Sequence, residues 1–261
     1  MESVLWQDWP DVEYLVVDPG STDNTPEVIQ TLQQKYPGRI IHITERDNGP
    51  ADGLNRAFAQ ATGDLLGYLN GDDVYLPGCF RSAVAAAEKH PNAAVIYADG
   101  YISDSNGRIV KRVISTVFSA KLLVTGGALM LQQSTFYRAD AFRAVGGFNA
   151  LNKTNWDGEI LADISLRKMQ FVHVNGYWSV FRIHKESITG SQRLIEESRR
   201  NSERVFQKVM GRPTSRADRA FRRLVYGYMC LTHPRATFFR LWDRIAPPNF
   251  DISGLLESAG R

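Results

Sequence analysis

The stretch Ala61-Thr62-Gly63-Asp64-Leu65-Leu66-Gly67-Tyr68-Leu69-Asn70-Gly71-Asp72-Asp73 constrains the fold of this chain more than any other. Gly63 suits the left-handed position just past a helix. Leu65 to Leu69 is a short, mostly apolar run of strand length, as expected for a strand buried on both faces. Asn70, Asp72 and Asp73 then arrive at its carboxyl end, where open α/β sheets place their ligands. Oxygen ligands clustered there suit Mg²⁺ or Mn²⁺, and such a metal suits a diphosphate. The same residues also suit an Asp-rich turn that caps the next helix.

The chain on either side repeats the strand-then-helix pattern. Glu13 to Val17 is a compact apolar strand that ends in Asp18, followed by Pro-Gly-Ser-Thr-Asp-Asn-Thr. Thr25 and Pro26 open a helix to about Tyr36. Arg39 to Thr44 is the next strand, and Ala51 to Ala61 the next helix. Leu76-Pro77 opens a third helix through Lys89, and Ala93 to Tyr101 is another strand. This alternation predicts an α/β fold with a mostly parallel sheet and helices on both faces. Beyond Tyr101 the pattern loosens. A hairpin is expected over Ser103 to Val113 with Asn106-Gly107 at its tip. A short helix is expected over Ala139 to Val145, a helix from Trp156, and two short strands over Phe171–Val174 and Trp178–Ile183.

Composition bounds the rest. The chain has 261 residues and only two cysteines, Cys79 and Cys230, so neither a disulfide framework nor a thiolate metal site is expected. No apolar run reaches the ~18 residues of a membrane span, and no signal peptide is visible, which makes the cytoplasm the expected location. Charge is uneven. Residues 1–192 carry 17 Lys/Arg against 21 Asp/Glu, whereas residues 193–261 carry 14 against 7. A basic helical tail behind a mildly acidic body points to an anionic surface or to a solvated helical face.

Four segments, in order and at this spacing, resemble the family 2 glycosyltransferases of the nucleotide-diphospho-sugar transferase (GT-A) fold. They are Glu13 to Thr25, Glu45-Arg46-Asp47-Asn48-Gly49 through Asn55, the strand ending in Asn70-Gly71-Asp72-Asp73, and a split fourth segment. This last comprises Gly146-Gly147-Phe148, Trp156-Asp157 and Phe181-Arg182-Ile183-His184. The resemblance covers residues 1 to about 190 and implies a Rossmann-like GT-A domain there, with residues 191–261 as a basic helical extension. Set against that family, this sequence starts where the first helix ends, so the family's first strand and most of its first helix are missing from it, whether through an upstream start, trimming or degeneration.

The resemblance assigns roles. Asp18 would contact the base or ribose, and Asp52, Asn55 and Asn70 the donor's nucleotide or sugar. Asp72, with His184, would hold Mn²⁺ or Mg²⁺. Asn70 stands where the family usually has the first carboxylate of an Asp-x-Asp pair, keeping an oxygen and losing a charge. Asp157 would be the base that takes the acceptor hydroxyl's proton, with Glu159 its nearest rival. Gln132-Gln133-Ser134 resembles an acceptor-side segment.

The implied reaction is inverting transfer of a sugar from a nucleotide diphospho-sugar, UDP-linked by expectation, to a glycan or lipid-linked acceptor. Polysaccharide, cell-envelope or glycolipid synthesis is the expected setting, at the inner face of the membrane. The tail would meet an anionic membrane surface, and no nucleic acid is expected. Two other readings stand beside this one: a non-catalytic relative that keeps the fold for binding, and a nucleotidyltransferase. The second would need a basic Gly-rich loop, which the chain does not show.

Overall fold

The structure, a computed structural model, describes residues 1–184 and 194–257. The first half follows the predicted alternation closely. After the short α1 (Glu2–Leu5), β1 (Leu15–Val17) leads to α2 (Thr25–Lys35), β2 (Ile41–Ile43) and α3 (Pro50–Gln60). Pro26 and Pro50 lie in first helical turns, where a missing N–H costs nothing. Ala61 stops α3 by turning extended, and Gly63 does not take the left-handed conformation expected of it. β3 (Leu65–Gly67) and β4 (Val74–Tyr75) bracket the acidic turn. α4 (Cys79–Lys89) starts after Gly78, whose φ of 73° makes the left-handed entry that glycine tolerates.

β5 (Ala93–Ser103) and β6 (Ile109–Val113) form the expected hairpin, with Gly107 at φ 85°. α5 (Ala120–Val124) is capped by Ser119, whose hydroxyl accepts the Leu122 N–H. A 3-10 turn at Gln132–Ser134 then leads through β7 (Thr135–Arg138), α6 (Ala139–Ala144) and α7 (Trp156–Leu166) to β8 (Gln170–Arg182). β8 unites the two short strands expected there. Its register against β5 slips around Asp99, next to Gly176 at φ 144°, so a bulge bridges the polar Asn175-Gly176 step. Four helices follow the undescribed residues: α8 (Ile195–Met210), α9 (Arg216–Thr232), α10 (Pro234–Ile245) and α11 (Ile252–Glu257).

The α/β architecture is as expected, but the sheet is mixed rather than mostly parallel. Its strands run in the order β3-β7-β5-β8-β4 with β6 beside β5, and β1-β2 form a separate parallel pair. Among the described residues, only the β5–β8 pairing of the larger sheet is parallel. The physical reason is the place of β7. After a long connection over residues 114–134 that carries α5 and the 3-10 turn, it inserts antiparallel between β3 and β5. Period-two alternation then divides two cores. Val95 and Tyr97 of β5 pack with Phe58, Tyr137, Phe142 and Phe148 on one face, while Ile96 and Ala98 pack with Cys79, Ala83, Phe136 and Trp178 on the other.

The expected domain boundary at residue 190 lies outside the described residues. Beyond it, α8 is no appendage: Val205, Phe206 and Val209 join Ala120, Val124 and Ala162 in one cluster. α11 likewise buries Ile252 against Leu76, Ile109 and Val180. Among the described helices, none is long and apolar enough to cross a membrane.

Candidate active site

The acidic turn after β3 is held from three directions. Asp73 is 3% exposed. Its Oδ2 accepts from Gln133 Nε2 at 2.7 Å and Asn70 Nδ2 at 3.1 Å, and its Oδ1 accepts the backbone N–H of Arg182 at 2.9 Å. Burial pushes the Asp73 carboxyl up to about 6, with the Arg182 amide and Gln133 opposing. Asp73 is therefore a tie between β3's turn and the end of β8 rather than a cap for α4. Gln132 braces the same turn by donating to the Tyr68 carbonyl at 2.9 Å. Gln133 and Ser134 are buried, so this segment supports the turn from inside instead of facing an acceptor.

With Asp73 turned inward, its neighbour Asp72 points to the end of β8. Asp72 Oδ2 lies 2.8 Å from His184 Nε2, and both side chains are about one-third exposed (32% and 29%). Among the described residues no group of three or more His, Cys, Asp or Glu side chains forms a metal cage. A full cage is not needed for a metal that serves a diphosphate. Mg²⁺ and Mn²⁺ in such sites take one or two protein ligands and fill the remaining positions with water and phosphate. A carboxylate and an imidazole converging at a solvent-open strand end fit that pattern. Asn70 Nδ2 donates to Asp73, which orients the Asn70 carboxamide within the same turn.

On the nucleotide side, Asp18 ends β1 and is buried. Its Oδ1 accepts from the Ser21 hydroxyl at 2.6 Å and the Ser21 N–H at 2.9 Å. The Ser21 hydroxyl, outweighing burial, holds the Asp18 carboxyl below the ordinary range. Asp52 accepts from the Asn48 N–H at 2.9 Å and from Arg56 at 2.9 Å, which closes the loop entering α3. Asn55 is wholly engaged with a distant backbone: Nδ2 donates to the Phe148 carbonyl and Oδ1 accepts the Phe148 N–H, each at 2.8 Å. Gly147, at φ 78°, leaves room for this, since a Cβ there would fall 2.7 Å from Asn55 Oδ1. In this arrangement Asn55 positions the Gly146-Gly147-Phe148 corner.

The two acidic residues of α7's first turn separate cleanly. Glu159 is 2% exposed and committed to a bidentate pair with Arg204 of α8, with Asn149 and Asn152 donating as well. Burial alone would raise its carboxyl, but these bonds outweigh it and bring it to about 2. Glu159 thus docks α8 and is not a base. Asp157 is partly exposed and, among the described residues, takes part in no ion pair. Burial raises its carboxyl above the usual range, against the α7 amides of Gly158 and of Asp157 itself. The phenols of Tyr68 and Tyr137 lie close enough to feel its charge. Tyr68 precedes Asn70 by two residues, so Asp157 and the acidic turn flank the same end of β3.

Sequence reasoning missed the anchoring roles of Asp73, Gln132 and Gln133, and it gave Arg182 no role of its own. Arg182 sits at the β8 end between Asp73 and His184, and its Nε is buried with no hydrogen-bond partner among the described residues. The only available signal was its place inside the Phe181-Arg182-Ile183-His184 motif.

The α/β sheet with its acidic turn at the end of β3 agrees with a GT-A glycosyltransferase fold, which solved GT-A structures share. The chain belongs to glycosyl transferase family 2, whose family model matches residues 1–146. It is 28% identical over 194 residues to an uncharacterized glycosyltransferase of Nostoc sp., covering 70% of this chain and 59% of that protein. Solved structures share the fold. The TarS 1–349 structure from S. aureus, in complex with UDP-GlcNAc, superposes with a TM-score of 0.60 at 17% identity, covering 80% of this chain and 66% of that one. The mannosyltransferase PcManGT from Pyrobaculum calidifontis, in complex with GDP-Man and Mn²⁺, superposes at 0.59 and 17% identity, covering 94% and 69%.

Proposed function

We propose that the chain transfers a sugar, with inversion, from a nucleotide diphospho-sugar to a hydroxyl of a glycan or lipid-linked acceptor in polysaccharide, cell-envelope or glycolipid synthesis. The observation that carries this reading is the division of labour at the end of β3. Asp72 and His184 converge within 2.8 Å, while Asp157, near Tyr68, takes part in no ion pair among the described residues. Asp157 takes the proton from the acceptor hydroxyl as that oxygen attacks the anomeric carbon. The bond from that carbon to the diphosphate breaks, and the nucleoside diphosphate leaves. Burial makes Asp157 a stronger base than a surface carboxylate. Asp72 and His184 would hold Mn²⁺ or Mg²⁺, which when bound neutralises charge developing on the diphosphate. Arg182 would add a fixed positive charge beside that group. Asp18, at the end of β1, would receive the base or ribose.

The solved relatives were obtained with UDP-GlcNAc and with GDP-Man and Mn²⁺, which supports a nucleotide-sugar donor and a metal-assisted reaction. We favour a UDP-linked donor, and a reaction set in the cytoplasm against the inner face of the membrane. The test is calorimetric titration with UDP and with GDP, with and without Mn²⁺, followed by transfer assays with the matching sugar donors. The anomeric configuration of the product, read by NMR, reports inversion. Failure to bind either nucleoside diphosphate at millimolar concentration with Mn²⁺ would favour the non-catalytic relative.

A further inference from the structure

The two helices α9 and α10 leave water-facing surfaces that the other described residues do not cover. On α9 only Asp218 and Met229 are buried, an unusually small share for a 17-residue helix. Phe221, Leu224, Tyr228 and Leu231 follow one another at spacings of three, four and three, so they lie along one face. They are exposed, Leu224 at 72% and Leu231 at 84%. Phe238, Leu241, Trp242 and Ile245 make a second stripe along α10, with Ile245 at 83%. Large apolar side chains this exposed, gathered into stripes, mark a surface that meets something else.

Charge identifies what it meets. The segment from Arg216 to Ile245 holds seven arginines and two aspartates. Both aspartates are buried in ion pairs, Asp218 with Arg212 and Asp243 with Arg112. Arg235 is spent on Asp99, and Arg240 lies over the Tyr226 ring. Arg216, Arg219, Arg222, Arg223 and Arg244 remain exposed, with no exposed carboxylate on either helix. At about 100° per residue, Arg216, Arg223 and Arg244 flank the apolar stripes, while Arg219 and Arg222 lie toward the opposite face of α9. Nucleic acid would satisfy the arginines but would not bury Leu231 or Ile245. An anionic bilayer does both, taking apolar side chains into the acyl boundary and arginines against its headgroups.

We propose that α9 and α10 form a lipid-docking surface for anionic membranes. It uses none of the side chains named at the candidate active site, so vesicle binding and sugar transfer can fail independently of each other.

The test is flotation of the full-length protein with phosphatidylcholine vesicles, pure or with about one-third phosphatidylglycerol. Binding is expected only to the anionic vesicles and should weaken as salt is raised. The variants L231E and I245E should each weaken binding about tenfold or more, and R216Q, R223Q and R244Q, which flank the stripes, about fivefold each. All five side chains are exposed, and an unchanged melting temperature and unchanged UDP titration would confirm that the fold is intact. No binding to anionic vesicles at low salt would overturn the proposal, as would undiminished binding by the L231E and I245E variants. Concentration-dependent dimers that L231E dissociates, seen without vesicle binding, would assign the face to a second copy of the chain and would also overturn it.

Discussion

Asp72 and His184 stand 2.8 Å apart across 112 positions of sequence, and Asp73 is what brings them together. By accepting the Arg182 N–H, Asp73 fixes the end of β8 against the turn that carries Asp72. One carboxylate of the pair is structural and buried, and its neighbour is open to solvent and available for chemistry.

Removing either partner of the open pair should therefore be felt in metal-linked binding rather than in folding. Asp72→Asn and His184→Ala should each weaken Mn²⁺-dependent UDP affinity by about tenfold or more. Binding measured without metal should change little. Titration calorimetry in Mn²⁺ and in chelator checks both, and equal losses in the two buffers would remove these residues as metal ligands.

Asn55 gives a test between two roles. Its amide grips both polar groups of Phe148, so Asn55→Ala should cost about 1–3 kcal/mol of stability by leaving buried backbone groups unpaired. UDP affinity should stay within about threefold, well under ~1 kcal/mol. A stable variant that has lost UDP binding would return Asn55 to the donor contacts the resemblance assigns it.

The fold's outline was legible because its first half is punctuated by local chemistry. Pro26 and Pro50 mark helix starts, and Asn106-Gly107 marks the hairpin tip. The mixed sheet was not legible, since β7's place between β3 and β5 depends on long-range pairing that no local signal encodes. At the site, the motif residues could be found, but their division of labour could not. Asp73 and Glu159 look like equals of Asp72 and Asp157 in sequence. They are separated only by what they touch: Gln133 and the Arg182 amide for the first, and Arg204 for the second.

The Glu159–Arg204 pair makes a pH prediction. Glu159 falls from an ordinary 4.5 to about 2 in the folded protein. A lowered carboxyl contributes stability that is fully present above about pH 4.5 and is lost as pH falls toward 2. Because Arg204 is partly solvated, the contribution is about 2 kcal/mol rather than the full shift. Glu159→Gln should lower stability at pH 7 by about that amount and flatten the decline below pH 4.5. Urea melts at pH 7, 4.5 and 3 give the comparison. An unchanged acid profile would show that the pair does not hold α8.

The central claim is that Asp157 acts as the base and contributes little to donor binding. Asp157→Asn keeps the side chain's size and removes its basicity. It should leave Mn²⁺-dependent UDP affinity within about threefold, because Asp157 lies beside Tyr68 and Tyr137 rather than with Asp72 and His184. Sugar transfer should fall by at least the ~10²-fold typical of losing a general base. The decisive measurement is the transfer rate of Asp157→Asn at saturating donor, taken beside its UDP titration. A rate reduced by about a hundredfold or more with intact binding is the predicted result, and transfer at near wild-type rate would contradict it.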